Sequence, residues 1–118
     1  MIETERVERT LARWDARFLA KVFTDGERAY AEKKASRAEH LAGRFAVKEA
    51  VAKALGTGIA AGVRWRDIEV VRDAWGPPSV VLHARAREIA DLRGIAKIHI
   101  TITHTKAVSL AFAVAESA

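Results

Sequence analysis

The feature that constrains the fold most is a long helical pattern in the middle of the chain. Four large apolar residues recur along one side of it: Leu41, Phe45, Val51 and Leu55. Ser36 and Glu39 have the spacing of a capping box at its start, and Gly56 stands where a C-terminal cap belongs. The sequence therefore predicts a helix over residues 37–55.

A period of two near the C-terminus predicts a β-hairpin. Three isoleucines alternate with polar residues between positions 98 and 103, and four larger apolar residues alternate with small ones between 108 and 114. A tight connection at residues 104–106 joins the two runs. Two further strands are predicted at 68–72 and 79–83, on either side of the turn sequence WGPP, and a short helix at 84–93 is closed by Gly94.

Helical patterns also fill the first third of the chain. The first is predicted over residues 3–18, so the chain is expected to open on a helix with no strand before it. Four residues at helical spacing form its apolar side: Val7, Leu11, Trp14 and Phe18. Thr24 and Glu27 form a capping box that begins a second helix, which extends to about Lys34. The 118 residues are predicted to form one α+β domain, with early helices packed on an antiparallel-rich sheet.

Composition narrows the classes of function. The chain has no cysteine, which excludes disulfides, thiolate metal sites and a cysteine nucleophile. Its charged N-terminus is unlike a signal peptide, and no apolar run is long enough for a membrane span. The net charge of +5 favours an anionic partner: a nucleic acid, an anionic metabolite or an acidic protein.

The densest polar cluster lies on the predicted long helix. Its members surround the apolar side: Arg44, Lys48, Glu49 and Lys53. Glu49 and Lys53 share one face, and a solvated salt bridge is the simpler interpretation of that spacing. The functional interpretation has Glu49 as a ligand of Mg²⁺ and Lys53 as a partner of phosphate oxygens.

Three other features each allow two interpretations. The loop Gly56-Thr57-Gly58 is either a helix stop or a place where a ligand approaches the backbone closely. His104 is either a turn residue or part of a site. The arginine side of the first helix is either solvated or a docking surface for an acidic helix or a phosphate backbone.

Taken together, these segments resemble one family. Residues 41–59 read LAGRFAVKEAVAKALGTGI, which resembles the signature of bacterial holo-[acyl-carrier-protein] synthase, a small 4′-phosphopantetheinyl transferase. Three further segments agree in order: Val22-Phe23-Thr24 with Glu27, the strand entry WRDIEV at residues 65–70, and ITHTK at residues 102–106. The resemblance covers nearly the whole chain.

The resemblance implies a cytoplasmic enzyme of fatty acid biosynthesis. Such an enzyme transfers phosphopantetheine from coenzyme A to a serine of apo acyl carrier protein, with Mg²⁺, and releases adenosine 3′,5′-bisphosphate. No nucleic acid or membrane partner is expected. Members of this length form homotrimers with active sites between subunits.

The resemblance also assigns roles to individual residues. Glu49 would bind Mg²⁺ and help to activate the serine through water, and Lys53 would neutralise the pyrophosphate. The coenzyme A site would be lined by Arg44, Lys53, Gly56, Thr57 and His104, with His104 serving a neighbouring subunit's site. The basic residues that dock the carrier protein would be Arg6, Arg13 and Arg17.

Two departures from the family pattern bear on this interpretation. The family begins with a G-x-D strand whose aspartate is the other Mg²⁺ ligand, and that position would immediately precede Met1. The strand is therefore expected to be missing, and the chain to be weakly active or inactive. The family's G-K-P turn reads Gly76-Pro77-Pro78 here, which removes a basic contact near the ligand. The competing interpretations are a non-catalytic module that binds coenzyme A, a carrier protein or nucleic acid, and a trimer that serves assembly only.

Overall fold

The computed structural model describes residues 1–6, 9, 16–72, 76–105 and 107–117. The strands are β1 (Ile2–Glu3), β2 (Ile68–Val71), β3 (Ser79–Leu82), β4 (Ile95–His104) and β5 (Val108–Ser117). The helices are α1 (Ala16–Val22), α2 (Asp25–Glu32), α3 (Arg37–Leu55) and α4 (Ala84–Leu92), with a 3₁₀ turn at Trp65–Asp67. One antiparallel sheet has the order β1-β5-β4 and a second pairs β2 with β3. The predicted α+β architecture is confirmed.

The long helix α3 has the predicted bounds, and its two ends differ from each other. At the C-terminus Gly56 adopts a left-handed conformation with φ of 86°, and its N–H donates to the carbonyl of Lys53. At the N-terminus the Ser36 hydroxyl makes no capping hydrogen bond, so the capping box predicted there is wrong. The C-terminal cap is confirmed because glycine adopts this positive φ without the steric cost of a Cβ.

The core lies where α3 packs on the strands. Its largest fully buried members come from α3 and from β2: Val47, Val51, Leu55 and Ile68. The four isoleucines of β4 pack against this cluster, while the alternating His99, Thr101 and Thr103 are exposed. The alternation in the sequence therefore places the isoleucines on the face of the hairpin that packs on α3 and the polar residues on the opposite face.

The N-terminus differs from the prediction of a helix beginning at residue 3. Ile2 and Glu3 form β1, which pairs antiparallel with Ser109 and Val108 of β5. Ile2 is buried against a cluster on α3, so sheet pairing and burial together outweigh the local helical pattern. Residues 4–6 and 9 are helical, and α1 extends four residues beyond the predicted end at residue 18. Val7, Leu11 and Trp14 lie outside the described residues.

The hairpin is longer than predicted, and its turn lies one residue later. His104 is not in the turn: it ends β4, opposite Ser109. Thr105 begins the turn, and its hydroxyl accepts hydrogen bonds from the N–H groups of Ala107 and Val108, both at 3.2 Å. A polar side chain that satisfies two backbone donors in this way stabilises a tight turn.

The start of α2 has the capping box that the sequence predicts. The Thr24 hydroxyl accepts a hydrogen bond from the Glu27 N–H at 3.2 Å, and Glu27 Oε1 accepts one from the Thr24 N–H at 2.9 Å. The same hydroxyl donates to Glu69 at 2.6 Å, which ties the helix start to β2. The helix ends at Glu32, two residues before the predicted end.

Thr24 caps α2 with hydrogen bonds and Ser36 makes none at the start of α3, which gives a paired prediction. Replacing Thr24→Ala removes the cap and the bond to Glu69, and it should lower the free energy of unfolding by about 1–2 kcal/mol. Ser36→Ala removes no capping bond and should change it by less than about 0.5 kcal/mol. Urea denaturation of both variants at one protein concentration measures the difference. Equal losses would show that Ser36 also caps its helix.

Candidate active site

The polar cluster predicted on α3 separates into a buried part and an accessible part. Lys48 is completely buried and Arg44 retains 5% exposure, whereas Glu49 is half-buried and Lys53 is exposed. The prediction that Lys48 borders the apolar side is therefore wrong. Lys48 lies seven residues after Leu41 and seven before Leu55, a spacing that places all three on one helix face. This spacing is the sequence feature that indicates that Lys48 is buried.

Lys48 is held in the core by a set of hydrogen bonds centred on Glu27. Its Nζ lies 2.8 Å from Glu27 Oε1, and it donates to the carbonyls of Trp65 and Ile68 at 3.0 and 2.5 Å. The second carboxylate oxygen of Glu27 accepts the N–H of Val70 at 3.0 Å. Burial lowers the pKa of Lys48, and the charge of Glu27 opposes that effect. Glu27, predicted only as a cap, is thus the anion that balances a buried lysine.

Glu49 and Lys53 do not form the salt bridge that their spacing allows. Among the ion pairs of the described residues, none joins these two side chains, so the simpler interpretation is wrong. The Glu49 carboxylate has no ion-pair partner among the described residues. Both groups are therefore available to a ligand.

Arg44 lines a cavity of about 180 Å³ between α3 and β4. Its guanidinium lies 4.2 Å from the centre of the Tyr30 ring, and burial lowers its pKa although Tyr30 and Glu27 act in the opposite direction. Its buried Nε has no hydrogen-bond partner among the described residues. An unpartnered donor beside a cavity is an arrangement suited to an anionic ligand.

The other predicted site residues on α3 and its loop do not line that cavity. Glu49 lies about 140° and Lys53 about 180° around the helix axis from Arg44, at roughly 100° per residue. Gly56 and Thr57 lie beyond the helix end, where the N–H of Gly58 donates to the carbonyl of Ala52 at 3.0 Å. The helix-stop interpretation of the loop is confirmed, and its contact with a ligand stays a prediction.

The remaining predicted residues are only partly described. Arg6 and Arg17 are exposed, and Arg13 lies outside the described residues. The backbone of His104 is described at the end of β4, but its side chain is not. Their roles in docking and in a neighbouring subunit's site stay predictions.

A larger open groove of about 560 Å³ lies elsewhere, between β3 and β4. It contains none of the predicted site residues, and its charged lining consists of Arg87 and Lys97. No cluster of three or more metal-binding side chains occurs among the described residues, and no helix among them is long and apolar enough to cross a membrane. The cavity at Arg44 and the accessible face of α3 are therefore the candidate site.

Comparison with known proteins decides the family. The model of the 4′-phosphopantetheinyl transferase superfamily matches residues 2–115. The chain belongs to this superfamily. A holo-[acyl-carrier-protein] synthase from Solibacter usitatus is 41% identical over 99% of this chain and 94% of the relative. The predicted family is confirmed.

Solved structures of synthases in this transferase superfamily share the fold. The enzyme from Neisseria meningitidis has a TM-score of 0.88 at 31% identity, covering 98% of this chain and 93% of its own. The enzyme from Bacillus anthracis, in complex with coenzyme A (3′,5′-ADP), has a TM-score of 0.80 at 34% identity, covering 99% and 91%. The predicted fold class is confirmed over nearly the whole chain.

In this transferase the buried Glu27–Lys48 pair gives a stability prediction. Lys48→Met leaves Glu27 as an uncompensated buried charge and should cost about 3–5 kcal/mol of unfolding free energy. The double variant Glu27→Gln, Lys48→Met should lose less than Lys48→Met alone. Lys53→Met, an exposed lysine on the same helix, is the matched control and should lose less than about 0.5 kcal/mol. Urea denaturation measures all three, and equal losses for Lys48→Met and Lys53→Met would contradict the pair's role.

Proposed function

We propose that the chain transfers 4′-phosphopantetheine from coenzyme A to a serine hydroxyl of apo acyl carrier protein and releases adenosine 3′,5′-bisphosphate. The reaction serves fatty acid biosynthesis in the cytoplasm. The observation that carries this proposal is the near full-length match to holo-[acyl-carrier-protein] synthases. The cavity at Arg44 and the unpaired Glu49 support it, because the reaction needs sites for anions and for a metal.

Glu49 is the residue that would hold Mg²⁺. Its carboxylate has no ion-pair partner among the described residues, and Mg²⁺ is usually bound by one or two carboxylates together with substrate phosphates and water. One protein carboxylate therefore fits the ion once coenzyme A is present. When bound, Mg²⁺ would neutralise charge on the pyrophosphate. Glu49 would also accept, through water, the proton of the attacking serine.

Lys53 and Arg44 would act as binding groups. Lys53 is exposed in the last turn of α3, where its ammonium can reach the pyrophosphate and stabilise the charge that develops on the leaving group. Arg44 is held by burial and by the Tyr30 ring, so its guanidinium is pre-oriented toward the cavity. Catalysis would then consist mainly of positioning and charge neutralisation, as in other phosphoryl transfers.

A transfer assay with a matched pair of variants tests this proposal. The chain is incubated with apo acyl carrier protein, coenzyme A and Mg²⁺, and the mass of the carrier is measured. We expect the carrier to gain one phosphopantetheine from this chain, from a version extended upstream, or from both. Glu49→Gln should reduce the rate by at least about a hundredfold, because it removes the metal ligand and proton acceptor. Glu88→Gln, an exposed glutamate on α4, should leave the rate unchanged.

Two outcomes would contradict the proposal in different ways. An unmodified carrier, both with this chain and with a version extended upstream, would exclude the activity. A carrier that still docks but is not modified would favour the non-catalytic binding module. Docking is measured separately by titrating the carrier protein into the Glu49→Gln variant, which should bind it as the unchanged chain does.

We also propose that the enzyme is a homotrimer with active sites between subunits. Three large apolar side chains on the outer face of β5 support this: Leu110, Phe112 and Val114, with 36%, 61% and 62% exposure. An exposed apolar stripe of this kind is typical of an association surface. A second copy would also bring side chains to the face of α3 that carries Glu49 and Lys53. The neighbouring copy's His104 would be one of those side chains.

The oligomeric state can be tested on that stripe. Phe112→Lys should convert the trimer to monomers, because it buries an unpaired charge in the interface. Leu92→Lys replaces an apolar residue on α4 that is 76% exposed, and it should leave the trimer intact. Light scattering after size-exclusion chromatography distinguishes the two states. A monomeric unchanged chain, or equal effects of the two variants, would contradict the proposed interface.

A further inference from the structure

The loop after α3, residues 56–62, contains four residues with positive φ. Gly56, Gly58 and Gly62 have φ of 86°, 62° and 87°, values that glycine adopts without steric cost. Ala61 has φ of 56°, a left-handed conformation that its Cβ makes unfavourable. A residue keeps such a conformation only where its surroundings hold it, so the contacts of Ala61 show what orders the loop.

Arg85 of α4 makes the contact that holds Ala61. Its Nε donates a hydrogen bond to the Ala61 carbonyl at 3.2 Å, and a Cβ at Gly62 would lie 3.1 Å from its Cγ. The same guanidinium forms an ion pair with Glu88, one turn further along α4, at 2.9 Å. Arg85 therefore joins α4 to the end of the loop through a hydrogen bond and a close apolar contact.

Arg93, which follows α4, contacts the start of the same loop. A Cβ at Gly56 would lie 2.8 Å from Arg93 Nη1, so the guanidinium occupies the space beside this glycine. A cation there also lies at the C-terminal end of α3, where the helix dipole is negative. Residues of α4 belong to the same core cluster as Leu55 and Val63, which flank the loop. The packed helix α4 thus contacts the loop at both of its ends.

We propose that Arg85 and Arg93 are positioning residues for donor binding, because they hold residues 56–62 in the conformation that receives coenzyme A. This inference rests on the proposed function and on the predicted contact of Gly56 and Thr57 with coenzyme A. A loop that is ordered before binding loses less conformational entropy when the ligand binds. The residues assigned to the chemical step lie on α3 rather than in the loop, so the two arginines should affect the affinity for coenzyme A.

Isothermal titration calorimetry with coenzyme A on four variants tests the inference. Arg85→Met keeps the methylene groups but removes the hydrogen bond to Ala61, and it should weaken binding about fivefold. Arg93→Met should weaken binding by a similar factor. Ala61→Asn in the Arg85→Met background should recover the affinity to within about twofold, because asparagine adopts the left-handed conformation more readily than alanine. The control is Arg87→Met, which replaces an exposed arginine of α4 that pairs with Asp91, and it should bind coenzyme A as the unchanged chain does.

Hydrogen–deuterium exchange of the free chain separates positioning from direct binding. Arg85→Met and Arg93→Met should speed the exchange of amides in residues 57–62 and leave exchange within α3 unchanged. Weaker binding without faster exchange in the loop would overturn the positioning role, because the arginine would then touch the ligand itself. An unchanged affinity, with or without faster exchange, would also overturn it. If the unchanged chain binds no coenzyme A, the proposed function fails, and this inference fails with it.

Discussion

The buried ion pair of Glu27 and Lys48 is the interaction on which the rest of the structure depends. It joins α2 and α3 directly and reaches the 3₁₀ turn and β2 through backbone hydrogen bonds. Burying two charges is costly unless every polar group has a partner, and here the carboxylate and the ammonium are each bonded to backbone as well as to each other. The pair thereby fixes where α3 lies against β2, and so where Arg44 lies relative to Arg72, which follows β2 and lines the same cavity.

Local patterns in the sequence predicted the parts of the fold that depend on local forces. The helix over residues 37–55, its glycine cap and the C-terminal hairpin all follow from periodicity and cap chemistry. The strand β1 was not predictable in this way, because it exists only through pairing with β5, more than one hundred residues later. Ser36 has the sequence of a cap without its hydrogen bond, since a spacing of residue types does not determine the backbone angles at the helix start.

The site was predicted as a set of residues more accurately than as an arrangement in space. The motif on α3 contained Arg44, Glu49 and Lys53, and helical spacing places Arg44 on another face than the other two. The motif did not contain the cavity that α3 forms with Arg72 and β4. One face borders the cavity with Arg72, and the other carries the unpaired carboxylate and the exposed lysine. Lys48, inside the same motif, has a structural role. A ligand that spans phosphates and a metal is consistent with this division.

The most direct test of this arrangement is hydrogen–deuterium exchange with and without coenzyme A. Among the described residues, the cavity at Arg44 and the larger groove between β3 and β4 are alternative places for the ligand. We expect protection of α3 and of the segments that carry Arg72 and the 56–58 loop, with no change in β3. Protection concentrated in β3 and in the first half of β4, with α3 unchanged, would contradict the assignment of the site to α3.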